Sequence, residues 1–258
     1  MRWIFFTIFL CTSIYSCCQE AEFDMGKASV YCESYPVKDD YTGKVLQGTG
    51  FIVEYRSYFY FITSYHNIFN HDFYTDTHDT AETPFKQIRL ILQRKTDNRW
   101  GSLFVDLINE DSTYNFYRTK YNGNDADVVA IPLSDLSAFL IQPIAIPKIN
   151  KLKKNDIVFI AGFPAVADET HFQLLQFGKV IPNPQLNNTY KRFKDYPLEF
   201  ISRRTSAGFS GSPVYLWQNT RKSPVLAGVN AAVDIKNGIS IFWRVEVLQS
   251  LLTSIPSP

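Results

Sequence analysis

Short runs of aromatic and β-branched residues, each cut off by Gly, Pro, Asn or Asp, set the strictest limit on how this chain can fold. Residues 28–32, 45–53, 58–63, 87–93 and 100–108 are of this kind in the first half. Residues 157–161, 172–181, 198–202, 213–216, 225–233 and 239–243 follow a Pro- and Lys-containing link at 143–154. Such side chains pack well on a pleated surface and favour extended backbone. The runs 45–53 and 58–63 lie close enough to be two arms of a hairpin, whereas 67–83 is polar and reads as a long surface loop. Only 245–255 has helical spacing, with Val245, Leu248, Leu251 and Leu252 on one stripe. Many short strands and a terminal helix predict an all-β protein of sandwich or barrel type. At 258 residues, 45% apolar, the chain can bury a large core as one large domain or two small ones.

Charge and cysteine usage remove several classes of function. The 26 basic and 25 acidic residues nearly cancel, so no strong positive field exists to attract nucleic acid. High aromatic content with low net charge excludes intrinsic disorder. Of the four cysteines, Cys11, Cys17 and Cys18 crowd the N-terminus, and Cys32 stands by itself in the body. A dense disulfide scaffold is excluded. If residues 1–16 are removed and Cys17 is lipidated, at most one bridge, Cys18 to Cys32, is left in the mature protein.

The first residues read as an address. Met1-Arg2 precedes a short apolar run from Trp3 to Leu10, which is the pattern of a secretory signal and too short for a membrane span. Ser16 followed by Cys17, with Ile14 upstream, resembles a bacterial lipobox. That resemblance implies a signal peptide over residues 1–16 and lipidation of Cys17, attaching the mature chain to a membrane. An ordinary cleaved signal is the simpler reading. Either way the expected location is outside the cytoplasm, in a bacterial cell envelope or beyond it.

Three segments carry chemistry. Gly208-Phe209-Ser210-Gly211-Ser212-Pro213 can present Ser210 on a tight turn, with glycines letting the backbone aim N–H groups at a developing oxyanion. Ile62-Thr63-Ser64-Tyr65-His66 ends a strand with a histidine, and Asp127-Val128-Val129-Ala130-Ile131 opens an apolar run with an acid. Singly, these are a turn, a structural histidine and a strand start.

In this order they resemble the trypsin-like, chymotrypsin-fold serine peptidases, in particular the disulfide-poor bacterial branch. Gly48-Thr49-Gly50-Phe51 and Ile160-Ala161-Gly162-Phe163-Pro164 extend the likeness over nearly the whole mature chain. The order His, Asp, Ser separates this family from subtilisins and α/β-hydrolases. The resemblance implies two antiparallel six-stranded β-barrels, over residues 17–148 and 149–258, with a C-terminal helix and a site in the cleft between them. Ser210 becomes the nucleophile, His66 the general base, and Asp127 the group that orients the imidazole. The N–H groups of Gly208 and Ser210 form the oxyanion hole. Asp125 is a rival to Asp127, disfavoured because the apolar run starts directly after Asp127. The implied partner is a peptide or protein substrate, with no cofactor and no metal.

Departures from the family pattern are informative. Phe209 stands where animal digestive members carry an Asp that pairs with a newly cut N-terminal ammonium, so activation of that type is not expected. The substrate pocket would be lined by Arg204, Thr205, Gly228 and Asn230. Arg204 at its base would favour acidic side chains, while solvated Arg203 and Arg204, or a pair with Glu199, is the plainer reading. Two other readings compete. A catalytically inactive domain of the same fold would bind peptides or proteins in the cell envelope. A metal site would use His66, His71 and His78 with Asp72, Asp76 and Asp79, but these histidines lack the i, i+4 spacing of zinc peptidases.

Overall fold

The structure, a computed structural model, describes residues 24–35, 45–69, 84–121, 124–148, 151–165, 172–182, 195–218 and 223–256. Residues 1–16, Cys17 and Cys18 lie outside that set, as do His71, Asp72, Asp76, His78 and Asp79 of the proposed metal loop.

Seven strands form the first sheet: β1 (Val30–Tyr35), β2 (Leu46–Tyr55), β3 (Tyr58–Thr63), β4 (Gln87–Gln93), β5 (Trp100–Asp106), β6 (Tyr117–Tyr121) and β7 (Asn124–Leu133). Their order is β5-β4-β1-β2-β3-β7-β6, antiparallel throughout. The expected hairpin is β2–β3, closed by Arg56 and Ser57 at φ 52° and 66° between the paired Tyr55 and Tyr58. Two left-handed residues match the twist of the flanking strands. In β4 the pattern is strict: Ile88, Leu90 and Leu92 are buried and the residues between them are partly exposed.

The first sheet has one strand more than the six expected. The addition is β6, Tyr-Arg-Thr-Lys-Tyr, which covers the outer edge of β7. Only Thr119 of its five residues is buried, so it carries no apolar alternation to announce it.

The second sheet has six strands: β8 (Ile157–Gly162), β9 (Leu174–Lys179), β10 (Leu198–Ile201), β11 (Pro213–Leu216), β12 (Val225–Asp234) and β13 (Ile239–Arg244). The order is β10-β13-β12-β11-β8-β9, and a bridge between Val180 and Ile201 joins its two edges. The helix α1 (Val245–Ser254) follows directly, with Val245, Leu248, Leu251 and Leu252 buried as the stripe required.

Among the described residues the buried apolar side chains gather into three cores. One lies within the first sheet and includes Ile52, Phe61, Ile88 and Leu90; another lies within the second and includes Ile160, Phe209, Val214 and Phe242. The third is shared, with Phe51, Ile62 and Val128 meeting Phe159, Tyr215, Trp243 and the helix leucines. Strand β7 faces two of these cores. Val128 and Ala130 turn to the shared one and Val129 and Ile131 to the first sheet's own. That explains its unbroken apolar run, since a strand buried on both faces need not alternate. Each large side chain so buried contributes about 1.5–3 kcal/mol. Cys32, fully buried in the first core, has no disulfide partner among the described residues, and burial raises its pKa well above the ordinary range.

Candidate active site

Strand β3 ends at Thr63, which sits opposite Val129 of β7. The chain then makes a single 3-10 turn over Tyr65–Asn67 that carries His66 across the start of β7. Asp127, on the same strand face as Val129, meets it there. Its Oδ1 accepts the backbone N–H of His66 at 3.0 Å, and its Oδ2 lies 2.8 Å from the ring Nδ1. The carboxylate is fully buried, while the imidazole is one-fifth exposed. Two-point contact fixes both the position of the residue and the plane of its ring. With Nδ1–H donated to Asp127, Nε2 is left as the acceptor nitrogen of the ring.

Asp127, and not Asp125, therefore holds His66. The expected reason was incorrect, because β7 starts at Asn124 and contains both acids. Asp125 pairs with Lys120 in the ladder, and its buried Oδ1 has no hydrogen-bond partner among the described residues.

The Ser210 turn hangs from the beginning of β11. Its geometry is set by what its carbonyls accept. Ser206 C=O receives the Phe209 N–H at 3.4 Å, and Gly208 at the third position has φ +89°, the conformation of a type II turn. The carbonyl of Ala207 accepts the N–H of Ala165 at 2.8 Å. A trans peptide points its N–H opposite to its C=O, so the Gly208 N–H is aimed away from Ala165. The next donor is fixed in the same way. Phe209 C=O accepts the side-chain amide of Asn230 at 2.9 Å and the Ser212 N–H at 3.1 Å, which turns the Ser210 N–H the other way. Both N–H groups expected in an oxyanion hole are thus held by hydrogen bonds on the far side of their peptides. Phe209 itself is fully buried in the second core.

The first sheet grips the same turn. Ser210 C=O accepts the Thr49 N–H at 3.0 Å and the Asn67 side-chain amide at 2.8 Å. Gly208 C=O accepts the Thr49 hydroxyl at 2.7 Å. Gly211, at φ +84°, packs so closely here that an added Cβ would stand 2.1 Å from the Thr49 carbonyl oxygen and 2.2 Å from the Thr63 hydroxyl.

The expected pocket residues are Arg204, Thr205, Gly228 and Asn230. Arg203 and Arg204 are exposed, and Glu199 faces Arg244 at 4.0 Å instead of either. Burial raises the pKa of Glu199, an effect that Arg244 opposes. Thr205 is buried, with its N–H on the Ser240 hydroxyl at 3.0 Å. Gly228 lies tight against β13, where a Cβ would stand 2.0 Å from the Trp243 carbonyl oxygen. Asn230 is 2% exposed, and its side-chain amide donates to the Phe209 C=O of the Ser210 turn at 2.9 Å. Thr49 lies inside the Gly48-Thr49-Gly50-Phe51 string and Asn67 directly after the string ending at His66, but neither these nor Ala165 carries a sequence signal for the contacts they make.

No family model matches this chain, and no curated protein matches it significantly in sequence. Solved structures do match in fold. The scabies mite inactivated protease paralogue S-I1 aligns over 90% of this chain and 96% of its own, at 16% identity and a TM-score of 0.59. The active form of the Rv3671c protease from M. tuberculosis aligns over 91% and 83%, at 14% identity and 0.54. The HtrA-type protease AlgW, solved with a tripeptide, aligns over 88% of this chain and 60% of its own, at 16% identity and 0.51. The fold is chymotrypsin-like. At these identities the likeness speaks for architecture, and the chemistry rests on the residues themselves.

Proposed function

We propose that this chain is a serine endopeptidase that cleaves peptide bonds through an acyl-enzyme. One observation carries the reading: fully buried Asp127 holds both the backbone N–H and Nδ1 of His66. A structural histidine needs no such two-point hold. The preset N–H groups of Gly208 and Ser210 add to it.

In this mechanism Ser210 Oγ attacks the carbonyl carbon of the scissile bond while His66 Nε2 takes its proton. Asp127 stays ionised and stabilises the imidazolium. The negative charge moves onto the former carbonyl oxygen, which accepts the Gly208 and Ser210 N–H groups. A donor of this kind is worth about 2.7–4 kcal/mol of transition-state stabilisation. Collapse breaks the C–N bond, and the amine leaves with the proton from His66. Water, deprotonated by the same imidazole, then hydrolyses the ester and returns Ser210.

The rest of the reading follows the sequence. Residues 1–16 direct export, Cys17 is the point of lipid attachment, and the catalytic halves span 17–148 and 149–258. The work is done in a bacterial envelope or beyond it, on a peptide or protein substrate. Phe209 buries itself in the second core where an activating ion pair would otherwise form, so no cut N-terminus is needed. A non-catalytic binding domain of the same fold is the alternative. Labelling with a fluorophosphonate, against Ser210→Ala and His66→Ala, separates the two: a covalent adduct on Ser210 that needs His66 supports the peptidase, and no adduct supports the binding domain.

A further inference from the structure

We infer that Thr49 is a positioning residue for the oxyanion hole, so that the first sheet sets the donor geometry of a turn belonging to the second. The inference rests on the peptidase reading and goes beyond it, because nothing in the triad or the nucleophile turn assigns Thr49 a role.

Thr49 is completely buried and every polar atom it has is committed. Its hydroxyl donates to Gly208 C=O at 2.7 Å and accepts the Phe163 N–H at 3.0 Å. Its N–H donates to Ser210 C=O at 3.0 Å, and its C=O accepts the Thr63 hydroxyl at 2.7 Å. The Thr63 hydroxyl in turn accepts the amide of Asn67, which also donates to Ser210 C=O. One residue thus touches the carbonyls of both residues whose N–H groups form the hole. It also ties them to the segment following β8, where Ala165 holds the neighbouring Ala207 carbonyl.

The geometry gives the hydroxyl a specific task. The Gly208 residue is bounded by two peptides, one fixed by Ala165 and the other by Thr49. A glycine at φ +89° has other wells open to it, so both peptides must be tied for its N–H to keep one direction. Removing the hydroxyl leaves Gly208 C=O and Phe163 N–H buried without that partner. The turn can then recover a bond only by rotating, and rotation swings the donor off its aim. Thr49 touches no substrate in this scheme, so its loss weakens transition-state binding more than ground-state binding.

The test is steady-state cleavage of a peptide substrate by the full chain carrying Thr49→Val, nearly equal in shape, and Thr49→Ser, which keeps the hydroxyl. Thermal unfolding is followed in parallel, together with affinity for a peptide boronic acid that binds as a tetrahedral adduct. The expected result for Thr49→Val is a fall in kcat of about 10- to 100-fold with KM little changed. Boronate affinity falls in parallel, and Thr49→Ser restores most of both. A Val variant that matches wild type in kcat overturns the inference, as does a loss confined to KM or one that Thr49→Ser does not rescue. If the Val variant does not fold, Thr49→Cys takes its place, since a thiol is a poor donor. Equal kcat for the Cys and Ser variants then overturns the inference. An inert wild-type chain refutes the peptidase reading itself, a result distinct from an active wild type with an unaffected variant.

Discussion

Replacing Gly211 with alanine tests the junction between the sheets, and Gly238→Ala supplies a matched control. Both glycines have positive φ, +84° and +67°. An L-residue in that region costs about 1–2 kcal/mol, the same in both places. The surroundings differ. Nothing lies within 4 Å of a Cβ at Gly238, whereas at Gly211 it would overlap the Thr49 carbonyl oxygen at 2.1 Å, the Thr63 hydroxyl at 2.2 Å and the Ser64 nitrogen at 2.9 Å. Two of these contacts are backbone and cannot swing aside. Overpacking of this kind adds about 1–3 kcal/mol, and breaking the Thr63–Thr49 hydrogen bond adds about 1 kcal/mol. The expected losses are therefore about 3–6 kcal/mol for Gly211→Ala and about 1 kcal/mol for Gly238→Ala, where reduced unfolded-state freedom offsets part of the strain. Against a total stability of about 5–15 kcal/mol, only the first is severe. Urea denaturation reads the stability, and the rate of fluorophosphonate labelling of the folded fraction reads the site. Gly211→Ala slows labelling at least about tenfold by displacing Ser210 from β2, and Gly238→Ala leaves it unchanged. Equal urea midpoints and equal labelling rates for the two variants would refute the argument that Gly211 sits in a closed junction.

Further expectations follow from single contacts. Asp127→Asn keeps an acceptor for the His66 N–H but turns an amide N–H toward Nδ1; the wrong imidazole tautomer then lowers kcat about 10⁴-fold, whereas a loss below about tenfold contradicts the assigned role. Glu33 is ionised against the cost of burial because the Tyr35 and Tyr31 hydroxyls and the Arg89 guanidinium outweigh it, so its pKa lies below the ordinary range. Its stabilisation is complete above the unfolded-state pKa, about 4.3, and is lost as pH falls through the lower folded value. Glu33→Gln accordingly lowers stability by about 1–3 kcal/mol at pH 7 and by progressively less in acid. A constant difference in urea stability between the two proteins from pH 7 down to pH 3 contradicts this.

What could be read from sequence depended on whether the cause was local. The alternation of Ile88, Leu90 and Leu92 and the stripe of α1 are local, and both elements appear where they were expected. Strand β6 has no such signal: it pairs with β7, and its side chains meet residues distant in sequence, Tyr117 packing on Tyr60 and Arg118 donating to the Tyr65 hydroxyl at 3.0 Å. His66, Asp127 and Ser210 were visible as strings, but the choice between Asp125 and Asp127 needed the crossing of the 65–67 turn over β7. Asn230 makes a buried side-chain contact that its own strand does not announce. Its partner is Phe209 C=O, met only when β12 lies against the Ser210 turn. Thr49 is the extreme case, since its hydroxyl partner, Gly208, is 159 residues away. Residues that act through backbone carbonyls of a distant turn leave no periodicity to read.

The central claim is that Ser210 is a nucleophile activated by His66 and Asp127. Mass spectrometry of the intact chain after exposure to a fluorophosphonate tests it most directly. The account predicts one adduct per chain, located on Ser210, absent from Ser210→Ala, and formed far more slowly in His66→Ala. A wild-type chain that stays unmodified, or one modified equally in the His66→Ala variant, contradicts it.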